Sequence, residues 1–336
     1  MLKPYFMRKY ITLLLTLLFT YPTQAQSIPP QNATLSNYQY PFPVQFLELH
    51  LQQQTLKMAY MDLQPQQPNG KTVLLLHGKN FCAAYWEQTA KDLSKHGFRV
   101  IMPDQIGFGK SDKPNHFQYT FQQLAQNTKA ILDTLHITKV AVLGHSMGGM
   151  LATRFALMYP EMTAQLILEN PIGLEDWKLK VPYLPIDQWY KGELQQNYAK
   201  IKQYQLDSYY DGKWNADFDK WASLQASWTQ SPDYPVVAWN SALTYDMIFT
   251  QPVVYEFENV KASTLLIIGQ RDRTALGKAN VPEAVRKTMG NYPALGKLTA
   301  QKIKNAKLVP IEGVGHLPHI EAYTKFITPL LAFLQQ

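Results

Sequence analysis

From Thr72 onward, short apolar runs alternate with helical patterns: Val73 to Leu76 then Tyr85 to Lys95; Arg99 to Met102 then Thr120 to Leu135; Val140 to Leu143 then Gly148 to Tyr159; then Ala164 to Leu168. Short continuous apolar runs of this kind read as strands buried on both faces, and parallel strands need crossover helices between them. The alternation predicts an α/β fold built on a doubly wound, mostly parallel sheet. Upstream, Val44 to Leu51 and Thr55 to Leu63 alternate only partially and are predicted to pair as antiparallel strands.

The alternation halts at Asn170 and Pro171 and resumes at Ser263 to Ile268, followed by a helical stretch, the run Ala306 to Ile311 and a last helix from about Glu321. Between them, residues 172–258 hold 18 of the 42 aromatic residues and six of the seven tryptophans, in stretches such as Gln188 to Tyr210 and Phe218 to Trp228. This insertion is predicted to form a helical lid over the C-terminal edge of the sheet, leaving residues 26–171 and 259–336 as the core. Its aromatics either pack it against that core or line a site beneath it.

Composition narrows the possible functions. The formal charge of +7 includes Lys3, Arg8 and Lys9, which no acidic residue offsets in the first 25 positions. The rest of the chain carries an ordinary surface charge, so nucleic acid is not an expected partner. A single cysteine, Cys82, excludes an intrachain disulfide and a Cys/His zinc cluster. Residues 1–25 run from that basic patch through the apolar stretch Ile11 to Tyr21 to Pro22-Thr23-Gln24-Ala25, the layout of a secretory signal peptide. The apolar stretch is shorter than the roughly 20 residues a membrane span needs. The expectation is cleavage after Ala25 and a soluble mature protein, periplasmic or secreted, with no stable membrane anchor.

The run Val140 to Leu143 leads directly into Gly144-His145-Ser146-Met147-Gly148, a G-x-S-x-G that opens a helix. Glycines on either side of the serine let strand and helix approach while Oγ projects, and a helix N-terminus favours developing negative charge. Ser146 is therefore the candidate nucleophile. His145 is expected to pack, because its side chain points away from its neighbour's.

With these features the chain resembles the α/β-hydrolase superfamily, in particular the lidded branch that includes cofactor-free esterases and carbon–carbon bond hydrolases. The resemblance runs from about Lys71 to the C-terminus. It is carried also by Leu74-Leu75-Leu76-His77-Gly78, by Asp104-Gln105-Ile106-Gly107-Phe108-Gly109-Lys110-Ser111-Asp112, by Gly269-Gln270-Arg271-Asp272 and by Gly313-Val314-Gly315-His316.

A serine hydroxyl needs a base, and the base a carboxylate to fix its tautomer. His316 follows a strand, sits in a Gly-x-Gly-His loop and comes last in the order Ser, acid, His expected of this fold. His319 is its rival; His77 and His96 read as structural. Asp272 lies in the loop that resembles the acid-bearing one of the family, while Asp104, the other choice, heads a turn where aspartate commonly binds its own backbone.

The resemblance also assigns the two backbone N–H donors of an oxyanion hole, one to Met147 and the other to Lys79 or, because the stretch departs from the usual Gly- or Pro-containing loop, to Asn80. The side chains of Asn80, Phe81 and Trp177 are candidate substrate contacts.

A serine nucleophile implies attack on a carbonyl through an acyl-enzyme, where the aspartate of epoxide- and halide-displacing relatives forms an alkyl ester. No cofactor or metal is expected, and neither a Walker loop nor a G-x-G-x-x-G opens the first α/β unit. The favoured partner is a small organic substrate, a carboxylic ester with an apolar or aromatic portion. Carbon–carbon bond hydrolysis, cofactor-free haloperoxidase or perhydrolase activity, and non-catalytic binding on the same fold stand as alternatives.

Overall fold

The computed structural model describes residue 1 and residues 28–336 of the chain. The signal-peptide reading of residues 1–25 and the cleavage point before Gln26 lie outside the described residues. No helix among the described residues is long and apolar enough to cross a membrane.

Eight strands form one sheet: β1 (Val44–Leu51), β2 (Gln54–Leu63), β3 (Thr72–Leu76), β4 (Arg99–Pro103), β5 (Val140–His145), β6 (Thr163–Glu169), β7 (Ser263–Gly269) and β8 (Ala306–Ile311). Their spatial order is β1-β2-β4-β3-β5-β6-β7-β8. β1 pairs with β2, and β2 with β4, antiparallel; every other pair is parallel. The fold is α/β with a mostly parallel sheet, as the alternation predicts.

Period-2 geometry divides the apolar strand residues between two faces. Leu74, Leu76, Val142, Leu166, Leu168, Leu266 and Ile268 join one core, against α2 (Phe121–Thr134), α3 (Met147–Met158) and α9 (Tyr292–Lys302). Val73, Leu75, Leu143, Ile167, Leu265 and Ile267 join the other, against α1 (Glu87–Lys95) and α11 (Tyr323–Leu334). The remaining core helices are single turns, α8 (Glu283–Arg286) and α10 (Pro318–Glu321). Two predicted helices are subdivided. Ala83–Trp86 is a 3₁₀ turn leading into α1, and the last helix is split at Ala322 into α10 and α11.

Four helices lie between β6 and β7: α4 (Ile186–Glu193), α5 (Tyr198–Ser208), α6 (Ala216–Trp228) and α7 (Tyr234–Thr250). Asparagine caps start two of them, with Asn197 Oδ1 accepting from the Lys200 N–H at 3.0 Å and Asn215 Oδ1 from the Phe218 N–H at 2.9 Å. α4 packs on α7 and α5 on α6. The longest, α7, carries apolar residues all round, so its sequence shows no single buried face. Many of the segment's aromatics do pack inward. Tyr210 stacks on Phe218 with ring centres 3.8 Å apart, and Trp221 meets Tyr85 edge-on.

Candidate active site

Parallel strands present their C-terminal ends on one edge, and three of those ends deliver three side chains to one point. Ser146 stands between β5 and α3 with φ 57° and ψ −121°, a backbone conformation strained for a residue with a Cβ. Its neighbours permit the turn: a Cβ at Gly144 would strike the Gly148 carbonyl, and one at Gly148 the Leu76 carbonyl. The strain leaves Oγ projecting from a rigid junction, where His316 Nε2 lies 3.0 Å away. His316 Nδ1 is 2.7 Å from Asp272 Oδ2.

Asp272, just past β7, is wholly buried and accepts two further bonds, from Asn170 Nδ2 at 2.8 Å and from the Thr274 N–H at 2.8 Å. Burial alone pushes its carboxyl up, but the His316 ring beside it, together with these donors, brings it below the usual carboxylate range. An ionised Asp272 accepts only. The hydrogen of a neutral His316 therefore sits on Nδ1, and Nε2 is left to accept from the Ser146 hydroxyl. This arrangement can remove a proton from Oγ and hold it within reach of a departing group.

The rivals are engaged elsewhere. His319 donates its main-chain N–H and Nδ1–H to Glu169 Oε1, at 2.9 and 2.8 Å, in a buried pair behind the site. Asp104 accepts from the Tyr40 hydroxyl and from the N–H groups of Ala83 and Lys110, each at 2.7 Å, and so staples the turn after β4. His145 is buried and its Nε2 meets the main-chain carbonyl of His316 at 2.9 Å.

The His77-Gly78-Lys79 loop is fixed by its first residue. The Gln105 N–H donates to His77 Nε2 at 3.1 Å, so Nδ1 carries the hydrogen and donates to the Gly78 carbonyl at 2.9 Å. Burial holds this imidazole below its ordinary pKa and hence neutral. In a trans peptide the N–H opposes the C=O, so the anchor on the Gly78 carbonyl turns the Lys79 N–H the other way. Among the described residues that N–H donates to no protein acceptor. Met147 is the first residue of α3, where helical N–H groups lack an intrahelical partner.

Ser146 opens into a cavity of about 620 Å³ that Lys79, Asn80, Trp177, Trp189, Tyr209 and Tyr245 help to wall. Of the three predicted substrate contacts, Asn80 and Trp177 line it and Phe81 does not. Phe81 stacks on Tyr85, ring centres 5.0 Å apart, and faces a small adjoining cavity instead. A larger depression of about 860 Å³, formed by residues between Thr34 and Phe46 with Lys57 and Lys110, lacks a histidine and does not include Ser146.

Several side-chain contacts at the site carry no signal in the sequence. Asn170 directly follows β6 and bridges two other residues, its Nδ2 donating to Asp272 and its Oδ1 accepting from the Gly269 N–H at 2.8 Å. Tyr209, from the segment between β6 and β7, stacks on the His316 ring at 4.7 Å and accepts from Asn80 Nδ2 at 3.1 Å. The Lys79 ammonium donates to Ser241 Oγ at 2.6 Å, lies 3.5 Å from the centre of the Tyr245 ring, and has its pKa lowered to about 8 by burial, partly offset by Glu193. The only visible cue was that the strand pattern stops at Asn170. Among the described residues no group of His, Cys, Asp and Glu is placed to hold a metal ion.

Residues 71–276 match the model of the alpha/beta hydrolase fold family. The chain belongs to that family. It is 50% identical to a probable hydrolytic enzyme from Pseudomonas aeruginosa PAO1, over 92% of this chain and 99% of that one, with a TM-score of 0.91. It is 40% identical over 108 residues to a 2-hydroxy-6-oxononadienedioate/2-hydroxy-6-oxononatrienedioate hydrolase of Comamonas testosteroni, a match to 31% of this chain and only 38% of the relative's length. A thermophilic esterase from Thermogutta terrifontis shares the fold at 21% identity and a TM-score of 0.64, over 87% of this chain and 98% of that one.

Proposed function

We propose that this protein is a serine hydrolase that cleaves small organic carbonyl compounds through an acyl-enzyme on Ser146. The observation that carries the reading is the unbroken contact sequence from Asp272 through His316 to Ser146 Oγ, with Ser146 lining the 620 Å³ cavity. His316 takes the hydroxyl proton as Oγ bonds to the substrate carbonyl carbon. The N–H groups of Lys79 and Met147 receive the oxyanion, and the leaving group departs with the proton from His316. Water, deprotonated by the same imidazole, then releases the acid and restores Ser146.

Residues 172–258 act as the lid, and the aromatic walls suit an ester with an apolar or aromatic portion. Residues 1–25 direct export and are removed after Ala25. A second reading, hydrolysis of a carbon–carbon bond next to a ketone, is favoured by the partial identity to the Comamonas enzyme. It uses the same residues.

A fluorophosphonate is expected to label Ser146 alone, and Ser146→Ala to abolish labelling. Turnover of a chromogenic aryl ester against a vinylogous diketone, measured on one preparation, separates the two readings. Label on another residue, or none on folded protein, refutes the serine-hydrolase assignment.

A further inference from the structure

Tyr85 and His145 lie outside the Ser146–His316–Asp272 sequence, yet they join its two flanks. The Gly78 N–H donates to the Tyr85 hydroxyl oxygen at 3.0 Å. That oxygen is 3.0 Å from His145 Nδ1, and His145 Nε2 is 2.9 Å from the main-chain carbonyl oxygen of His316. The polarity of this chain is determined at both ends, because an amide N–H only donates and a carbonyl oxygen only accepts. With His145 neutral, only one placement of hydrogens satisfies all three contacts. Tyr85 accepts from Gly78 and donates to Nδ1, and His145 carries its hydrogen on Nε2 and donates it to His316.

Both middle members are buried. Burial, reinforced by the neighbouring His316 and His319, holds the His145 imidazole well below its ordinary pKa; burial and the nearby Glu169 hold the Tyr85 phenol well above its own. Neither group changes protonation near neutral pH, so the chain keeps its direction. One end fixes the residue that precedes Lys79, the proposed oxyanion donor, and the other fixes the backbone of the proposed base.

We infer that Tyr85 and His145 are positioning residues that hold the oxyanion loop and the base-bearing loop in register across Ser146 through one hydrogen-bond chain of fixed polarity. The inference rests on the serine-hydrolase reading. It assigns the work to the Tyr85 hydroxyl rather than to the ring, which packs on Phe81 and Trp86 whether or not it carries oxygen. Without that hydroxyl, the Gly78 N–H loses its acceptor and Nδ1 its donor. The His316 carbonyl still holds the His145 hydrogen on Nε2, but the ring loses its second anchor and no longer ties the two loops together.

The experiment compares Tyr85→Phe, His145→Gln, His145→Ala and the Tyr85→Phe/His145→Gln double variant with wild type on a chromogenic ester and a fluorophosphonate, with thermal midpoints recorded for each. Tyr85→Phe is expected to lower kcat and the labelling rate together by roughly 10- to 100-fold while KM stays within about twofold, since misplaced donors weaken transition-state contacts more than ground-state binding. His145→Gln places an amide N–H near the position of Nε2 and is expected to recover part of what His145→Ala loses. The double variant should fall no further than the weaker single, as members of one chain do. Wild-type kcat and labelling in Tyr85→Phe, or losses that multiply in the double variant, overturn the inference. A wild-type protein that neither turns over ester nor takes label would overturn the hydrolase reading instead, so the two failures are told apart.

Discussion

The core and the segment inserted between β6 and β7 contribute to the same cavity by different physics. In the core, position follows from backbone constraint: Gly144 and Gly148 are in van der Waals conflict with any larger residue, Ser146 sits at a strained φ of 57°, and the parallel strand ends converge on one edge. In the inserted segment, position follows from packing of large side chains, as where Trp189 stacks on Tyr245 at 4.6 Å or Tyr209 on His316 at 4.7 Å. Backbone constraint tolerates few sequences, whereas aromatic packing tolerates many. Ser146, His316 and Asp272 therefore belong to the first region, while the cavity wall is shared, the core supplying Lys79, Asn80 and the stretch from Arg273 to Asn280 and the inserted segment the aromatic rings.

Substitutions that separate the two regions test that division. The largest effect is expected from Asp272→Asn in the core. An amide at this position allows the wrong His316 tautomer, and kcat should fall by about 10⁴-fold with KM little changed and the fold intact by circular dichroism. A loss of tenfold or less would mean that position in the core does not govern the chemistry.

A smaller and different effect is expected from Trp189→Ala in the inserted segment. Removing part of an aromatic wall forfeits apolar contact, so KM for an aryl ester should rise about 3- to 30-fold while an acetate ester and fluorophosphonate labelling stay near wild type. An equal loss on both esters would show that this wall shapes the reacting centre and not the substrate preference.

The smallest effect concerns Lys79, whose backbone belongs to the core and whose ammonium reaches Ser241 and Tyr245 on α7. Its pKa is lowered to about 8 by burial, so the cation is present below that pH and lost above it. Loss of a positive charge from the wall of the cavity that Ser146 opens into should lower kcat/KM by about two- to threefold as pH rises through this value. Lys79→Met, already uncharged, should lack the step. A step that persists in the variant would assign it to another group.

The same contrast explains what the sequence made legible. The parallel strands and the Gly144-His145-Ser146-Met147-Gly148 turn are local patterns, visible because each is dictated by neighbours within a few residues. Asp272 and His316 were readable because they follow strands in an expected order. Asn170, Tyr85 and Tyr209 were not, since each earns its role from partners far along the chain: Asn170 on Asp272, Tyr85 on Gly78 and His145, Tyr209 on Asn80 and His316. An aromatic-rich stretch announces burial without saying which ring meets which group. The place of Phe81 was equally hidden: its ring stacks on Tyr85 and lines the small adjoining cavity.

The stack of Tyr209 on His316 has a consequence for anyone who would re-engineer the substrate range by exchanging residues 172–258 as a cassette. One face of the imidazole is covered from inside that cassette, and the same tyrosine tethers Asn80 of the core. A transplanted segment without an aromatic hydroxyl at this place would uncover the ring to solvent and release Asn80 even with all three core residues untouched. The boundary between interchangeable and fixed parts of this protein therefore runs through the insertion, on the far side of Tyr209.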